Sequence, residues 1–182
     1  TPVLAGARPS EVHGWHLWEI TVIDSTNAAA ATLDVWHAVR ADRQTAGRGR
    51  FQRQWVSDEG GLWLSAAVPT ATLGEATKLL PLLAGLAVCR VAHKLGLRAL
   101  RMRWPNDIMV GDHKLAGLLI DQPRRDVAII GLGLNVANHP ERVEPSLAGQ
   151  VARLTDFLAH PPSPPEIAPM LLQALRSVLD EV

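Results

Sequence analysis

The 182-residue chain has one cysteine, no net charge and no apolar run of about 18 residues. The single cysteine, Cys89, excludes an internal disulfide framework and fits a reducing compartment, so we expect a cytoplasmic protein. The missing apolar run predicts no membrane span, and residues 1–10 lack the charged-then-apolar pattern of a signal peptide. The 18 basic residues are balanced by 18 acidic ones. A long polyanion is therefore disfavoured as a partner, because proteins that follow nucleic-acid phosphates usually carry a broad basic surface.

Several common catalytic and nucleotide-binding motifs are also missing. The Gly-Arg-Gly triplet at 47–49 lacks the third glycine of a dinucleotide fingerprint, and the chain has no GxxxxGK[ST] phosphate loop. No GxSxG motif occurs, and Cys89 lies in the apolar run 82–91, where we expect a buried, unreactive thiol. His13 and His16 are three residues apart, but no third ligand is spaced to complete a zinc site. These absences argue against P-loop, serine-hydrolase, thiol and histidine–zinc chemistry.

The spacing of apolar residues predicts an α+β domain. Predicted strands lie at 15–23, 35–41, 62–68, 97–104, 108–110, 114–121 and 127–136, and predicted helices lie at 28–31, 75–95 and 166–182. Short connections between strands force antiparallel pairing. We therefore expect residues 1–182 to form a single domain, with one mostly antiparallel mixed sheet, helices packed on one face and an irregular segment at 1–14.

A basic, glycine-containing segment from Gln44 to Trp55 is the most informative part of the chain. Residues 43–53 contain four arginines and two glycines, and no acidic residue lies between Asp42 and Asp58. Glycines let a loop backbone approach a ligand closely, and arginines supply planar donor groups that suit phosphate or carboxylate. On a neutral background this cluster indicates a site for a small anion. The alternative is a solvated basic turn between two strands.

Four further motifs are candidates for the same site. Lys114 begins a strand three residues before Gly117, and a glycine inside a strand often marks the close approach of a ligand; a solvated charge on an edge strand is the alternative. The segment 104–107, Trp-Pro-Asn-Asp, predicts a turn that presents an amide and a carboxylate. The segment 25–27, Ser-Thr-Asn, is explained fully by helix capping. The glycines of the segment 131–135, Gly-Leu-Gly-Leu-Asn, leave room beside a strand.

Taken together and in this order, the five motifs resemble the catalytic domain of biotin protein ligases, within the biotin/lipoate ligase family. The resemblance covers roughly residues 15–180 and implies a class II synthetase-like fold. It implies that the carboxylate of biotin attacks the α-phosphate of ATP, giving biotinyl-5'-AMP, and that a lysine of a biotin carboxyl carrier domain then displaces AMP. The implied ligands are biotin, ATP and Mg²⁺, with no tightly bound prosthetic group and no nucleic-acid or membrane partner. An exposed edge strand would permit a two-fold dimer.

The resemblance also implies roles for individual residues. Those implied to be catalytic are Lys114, Arg48 and Asp107. Those that correspond to the biotin pocket are Ser25, Thr26, Asn27, Gln44, Gly47, Arg48, Gly49, Arg50, Lys114 and Gly117. Those that correspond to the ATP side are Arg50, Arg53, Trp55, Asn106 and Asn135, with Trp55 near the adenine. Asp107 resembles an acid near the reacting centre, acting through nucleotide-bound magnesium or on the acceptor lysine.

The chain departs from the family pattern in three respects. Gln52 stands where a glycine is usual, Arg103 stands where a lysine is usual, and 182 residues leave no room for an N-terminal DNA-binding domain or a C-terminal SH3-like barrel. We therefore expect a ligase of the short, non-DNA-binding type. The alternatives are a lipoate or octanoate ligase or transferase on the same fold, and a non-catalytic protein that binds biotin or biotinyl-AMP. A third is a module that stacks single-stranded nucleic acid on Phe51 and Trp55.

Overall fold

The computed structural model describes residues 4–182, except for the side chain of Gln52, and within them one eight-stranded mixed sheet forms. The elements are β1 (Arg8–Val12), β2 (Trp15–Ile23), α1 (Thr26–Ala30), β3 (His37–Gln44), β4 (Leu62–Pro69), α2 (Leu80–Lys94), β5 (Leu100–Arg103), β6 (Asp107–Val110), β7 (His113–Arg124), β8 (Val127–Leu134) and α3 (Pro164–Asp180). The strand order is β1-β2-β3-β4-β8-β7-β6-β5. Strands β2 and β3 are parallel, and the other neighbours are antiparallel. The predicted α+β class is confirmed.

Each face of the sheet has its own apolar cluster, because successive side chains of a strand point to opposite faces. On β4, Ala66 belongs to the cluster that contains α2 and α3, whereas Ala67 belongs to the cluster that contains Ala29 and Ala30 of α1. The two long helices therefore share one face, as predicted, and the short α1 lies on the other. Helix α1 is part of the crossover that the parallel pair β2–β3 requires.

Residues Gly74–Lys94 are helical throughout, with a 3-10 turn over Gly74–Leu79 leading into α2. This segment has the length and apolar composition of a membrane span. Its residues Leu80, Ala84 and Val88 are buried in the main core, so packing within the domain accounts for the apolar composition. Cys89 on the same helix is half-buried, and burial raises the pKa of its thiol.

Several predicted boundaries were wrong, and three of them are instructive. Strand β1 lies inside the segment 1–14 that was predicted to be irregular, and residues 1–3 of that segment lie outside the described residues. Its residues are mostly exposed and show no apolar alternation, but a two-residue turn in which His13 and Gly14 both have positive φ brings it beside β2. Strand β3 continues past Ala41 to Gln44 because its parallel pairing with β2 continues to that residue. Strand β5 begins at Leu100 rather than at residue 97.

Candidate active site

All five motifs line one cavity of about 360 Å³ on the α1 face of the sheet. The predicted site residues that line it are Ser25, Thr26, Asn27, Gln44, Arg48, Gly49, Arg50, Arg53, Trp55, Asn106, Asp107, Lys114, Gly117 and Asn135. The floor of the cavity is formed by small residues that pair across strands. Gly133 of β8 pairs with Gly117 of β7, and Gly131 of β8 pairs with Ser65 of β4. Strand register therefore brings together residues that are distant in sequence.

Hydroxyl and amide groups form a polar cluster at one end of the cavity, consisting of Thr26, Asn27, Gln44 and Ser65. The main-chain N and the Oγ1 of Thr26 both lie within hydrogen-bond distance of Gln44 Oε1, at 2.8 and 2.9 Å. Thr26 Oγ1 is 2.7 Å from Ser65 Oγ, which donates to Asn27 Oδ1 at 2.5 Å. Asn27 Nδ2 donates in turn to Asp121 Oδ2 at 2.9 Å. Thr26, Asn27 and Ser65 are buried, Gln44 is half-buried, and the four side chains bond one another, which holds their remaining lone pairs in fixed positions.

The opposite side of the cavity carries Lys114, which shares a carboxylate with a second cation. Lys114 Nζ lies 2.6 Å from Asp107 Oδ1, and Arg103 NH2 lies 2.7 Å from Asp107 Oδ2. Lys114 lines the cavity whereas Arg103 does not. Burial disfavours ionisation of Asp107, but hydrogen bonds from Lys114 and Arg103 outweigh it and hold its pKa below the usual value. Asp107 is therefore an ionised carboxylate that fixes the lysine ammonium group in place.

The main chain of Lys114 is held by a segment from much later in the sequence. Lys114 N donates to Gln150 O at 2.8 Å, and Ala152 N donates to Lys114 O at 2.9 Å, so residues 150–152 pair beside it like a short strand. Asn135 Nδ2 also donates to Lys114 O, at 3.2 Å, and Asn138 Nδ2 donates to Asn135 Oδ1 at 3.0 Å. The backbone that carries the lysine is thus fixed on both sides.

The glycine–arginine loop, residues 44–55, forms one wall of the cavity. A hydrogen bond of 2.9 Å from Trp55 N to Gly47 O folds the loop back on itself. The side chains of Arg48, Arg50 and Arg53 are exposed, and none forms a salt bridge with an acidic group in residues 4–182. Three uncompensated guanidinium groups that line the same cavity as Lys114 make the cavity attractive to an anion.

Residues 20–135 match the model of the Biotin/lipoate A/B protein ligase family. The chain belongs to this family. It is 37% identical over 141 residues to the bifunctional ligase/repressor BirA of Bacillus subtilis strain 168, covering 72% of this chain and 43% of that protein. It is 34% identical over 176 residues to the biotin–[acetyl-CoA-carboxylase] ligase of Mycobacterium tuberculosis, covering 90% and 64%. The chain spans about half the length of the curated relatives that it matches first.

Solved structures of biotin protein ligases have the same fold. The Aquifex aeolicus enzyme in complex with biotin and ATP has a TM-score of 0.80 at 28% identity, covering 91% of this chain and 70% of that chain. The Leishmania major enzyme in complex with biotinyl-5-AMP has a TM-score of 0.81 at 27% identity, covering 91% and 75%. An archaeal lipoate protein ligase from Thermoplasma acidophilum, at 15% identity and a TM-score of 0.67, is similar in fold alone. The resemblance to biotin protein ligases is confirmed.

Two predicted residues of this family member have surroundings that differ from the prediction. Gly47 does not line the cavity. A Cβ atom there would lie 2.4 Å from Ser57 Oγ and 2.5 Å from Trp55 O, so packing within the loop requires this glycine. The space above Gly117, predicted to receive a ligand, holds the indole of Trp55, whose Cη2 would lie 2.8 Å from a Cβ at residue 117. The same indole lies over Gly133, and its Nε1 is buried without a partner among the described residues.

Magnesium binding by Asp107 does not fit the arrangement of the site. Both carboxylate oxygens of Asp107 are engaged, one by Lys114 and the other by Arg103. Within residues 4–182, no group of three His, Cys, Asp or Glu side chains is placed to hold a metal ion. The carboxylate of Asp107 therefore serves Lys114 and Arg103 rather than a metal ion.

Sequence reasoning missed several residues that shape the site. Ser65 belongs to the polar cluster, and Asp121 accepts a hydrogen bond from it through Asn27. Ser65 lies in an otherwise apolar strand, so only the strand register shows which face it occupies. Asn138 is buried behind Asn135 and had no motif around it. The capping prediction for α1 was correct, because Ser25 Oγ accepts from Ala28 N at 3.3 Å.

Proposed function

We propose that this chain is a biotin–protein ligase that makes biotinyl-5'-AMP from biotin and MgATP and transfers biotin to a lysine of a biotin carboxyl carrier domain. The observation that carries the proposal is that Arg48 and Lys114, from separate segments, line the same cavity as the polar cluster. The relatives named as biotin ligases, and the solved structures with biotin, ATP or biotinyl-5-AMP, support it. The single cysteine and the use of ATP favour a cytoplasmic location.

The first half-reaction brings a carboxylate onto a triphosphate, and the two groups repel each other. A biotin carboxylate oxygen forms a bond to the α-phosphorus while the bond from that phosphorus to the departing pyrophosphate breaks. Fixed positive charge in a site with little water lowers this barrier. We assign that role to Arg48 and Lys114. We assign binding of the outer phosphates of ATP to Arg50 and Arg53, which are exposed and also line the cavity.

Recognition of biotin is assigned to the polar cluster. The ureido ring of biotin carries two N–H donors and one carbonyl acceptor, which match hydroxyl and amide groups such as Thr26 Oγ1, Ser65 Oγ and the side chain of Gln44. Lipoate carries a dithiolane ring with neither kind of group. The cluster side chains already bond one another, but their remaining acceptor lone pairs can bond a ligand only if the ligand offers N–H donors, which lipoate lacks. This chemistry favours biotin over lipoate.

In the second half-reaction the amine of the acceptor lysine attacks the acyl carbon, and the carbon–oxygen bond to AMP breaks. Asp107 was expected to act near this centre. A carboxylate whose pKa is held low is a weak base, and both of its oxygens already bind cations. We therefore propose that Asp107 is a positioning residue that holds the Lys114 ammonium group toward the cavity, rather than the group that removes the proton of the amine.

Two measurements on the same sample test the proposal. Pyrophosphate release with biotin and MgATP reports the first step, and the intact mass of a biotin carboxyl carrier domain, raised by one biotinyl group, reports the second. Lipoate in place of biotin is the substrate control, and Arg48→Ala is expected to slow pyrophosphate release while the protein stays folded. Binding of biotin without pyrophosphate release and without a labelled carrier would reject the ligase activity and favour a non-catalytic binder.

A further inference from the structure

A second concavity, which we call the groove, continues from the mouth of the cavity across the protein surface. Its walls include Phe51 in the glycine–arginine loop, Trp104 in the turn before β6, Lys78 in the 3-10 turn before α2, Pro81 in the first turn of α2, and Ile120 on β7. It shares Phe51 and Trp104 with the cavity. Anything seated in the groove therefore lies next to the place where the acyl adenylate forms.

The groove displays two aromatic side chains to solvent. Phe51 is 81% exposed and Trp104 is 65% exposed. Phe51 has φ 55° and ψ 36°, in the left-handed region that a residue with a side chain enters only at some energetic cost. Exposed aromatic residues of this kind are typical of protein–protein contacts, where they supply most of the binding energy. The strained backbone at Phe51 thus holds an apolar side chain in solvent beside the cavity.

The groove is positively charged. Arg50 and Lys78 line it, and none of its described lining residues is acidic. The Arg50 guanidinium lies 4.8 Å from the centre of the Phe51 ring, so charge and apolar surface are adjacent. Lys78 forms one salt bridge, with the exposed Glu75 at 2.5 Å. Exposed pairs of this kind contribute little, so Lys78 remains able to attract an approaching carboxylate.

We propose that the groove docks the acceptor protein through the loop that carries its target lysine. An apolar side chain of that loop packs on Phe51 and Trp104, and a carboxylate near the lysine faces Arg50 and Lys78. The inference rests on the proposed function, because an acyl adenylate in the cavity can react with a protein-borne amine only if the protein covers the cavity mouth. The groove shares the exposed aromatic residues Phe51 and Trp104 with the cavity, so a protein seated there would lie beside the acyl adenylate.

The test reverses one charge in the groove and compares two nucleophiles. Lys78→Glu changes an exposed residue that does not line the cavity, and the matched control is Lys94→Glu in the last turn of α2, about 24 Å along the helix. We expect Lys78→Glu to lower kcat/KM for a biotin carboxyl carrier domain about tenfold at low salt, and less at high salt, because the groove charge acts on the encounter. Capture of the biotinyl group by hydroxylamine, which needs no docking, should stay within about twofold.

Two further arms make the outcome specific. Replacing the carboxylate nearest the carrier's target lysine by lysine should restore transfer by the Lys78→Glu protein while slowing transfer by the parent. Trp104→Ala should lower the ratio of carrier labelling to hydroxamate formation. If Lys78→Glu and Lys94→Glu label the carrier equally fast, the docking proposal is overturned and the ligase function stands. If the parent forms no hydroxamate and no labelled carrier, both proposals fail.

Discussion

Two cations share the carboxylate of Asp107, and only one of them lines the cavity, so removing each in turn separates a catalytic charge from a structural one. Lys114 is 26% exposed at its side chain and Arg103 is 59% exposed. A unit charge about 4 Å from the reacting group contributes about 4 kcal/mol at an effective dielectric constant of about 20. Pairing with Asp107 and partial exposure to solvent reduce the contribution of the Lys114 charge. We take half of the full value, about 2 kcal/mol, which corresponds to about 30-fold in rate.

We therefore expect Lys114→Ala to slow pyrophosphate release about 30-fold and Arg103→Ala to slow it less than about threefold. Single-turnover pyrophosphate release with biotin and MgATP measures the step directly. Thermal unfolding of both variants is the control, and similar losses are expected because each variant leaves Asp107 one cation. Equal rates for the two variants would contradict the reasoning, since the carboxylate partner rather than access to the cavity would then decide the effect.

Two further predictions concern stability. Gly131→Ala should lower the free energy of unfolding by about 2 kcal/mol in urea titrations and should weaken biotin binding, because its Cβ would lie 2.2 Å from Asn27 Oδ1 and would displace that part of the polar cluster. Burial raises the pKa of Glu141, but hydrogen bonds with His139 and Arg153 outweigh burial and lower it from 4.5 to about 2. A lowered carboxyl pKa stabilises the fold above the unfolded value and loses that contribution as pH falls through the folded value, so stability should fall between about pH 4.5 and pH 2, by about 1 kcal/mol because solvent screens this partly exposed pair. Glu141→Gln should flatten this part of a pH series of unfolding curves; an unchanged slope would reject the assignment.

The strands that carry the site were predictable because their sequences carry a strong local signal. Strand β4 is apolar except for Ser65, and β7 and β8 are separated by a short polar turn that permits only antiparallel pairing. The edge strand β1 was missed because an exposed strand on the border of a sheet needs no apolar alternation. Its position comes from the turn at His13 and Gly14, whose backbone conformation is not visible in composition.

The residue types of the site were predictable from the family motifs, but their contacts were not. That Lys114 and Arg48 line one cavity follows from chain topology, which the motif order implied. The glycine at 117 was correctly read as a close approach, yet the group that approaches is the indole of Trp55. A mid-strand glycine indicates that something comes near and does not say what. That Trp55 packs over both β7 and β8 depends on the tertiary fold and cannot be predicted from a single sequence.

Because residues 150–152 pair with Lys114, the position of its ammonium group depends on a segment almost forty residues further along the chain. A cut or an insertion in the 140s would leave the arginine loop and the long helices in place, yet it would disturb Leu147 and Val151, which line the cavity, and release one partner of the Lys114 backbone. We expect such a change to lower activity more than it lowers stability. Surveys of tolerated variation in such a domain should therefore find this outlying stretch unexpectedly intolerant of changes in length, although it has no part in the chemistry.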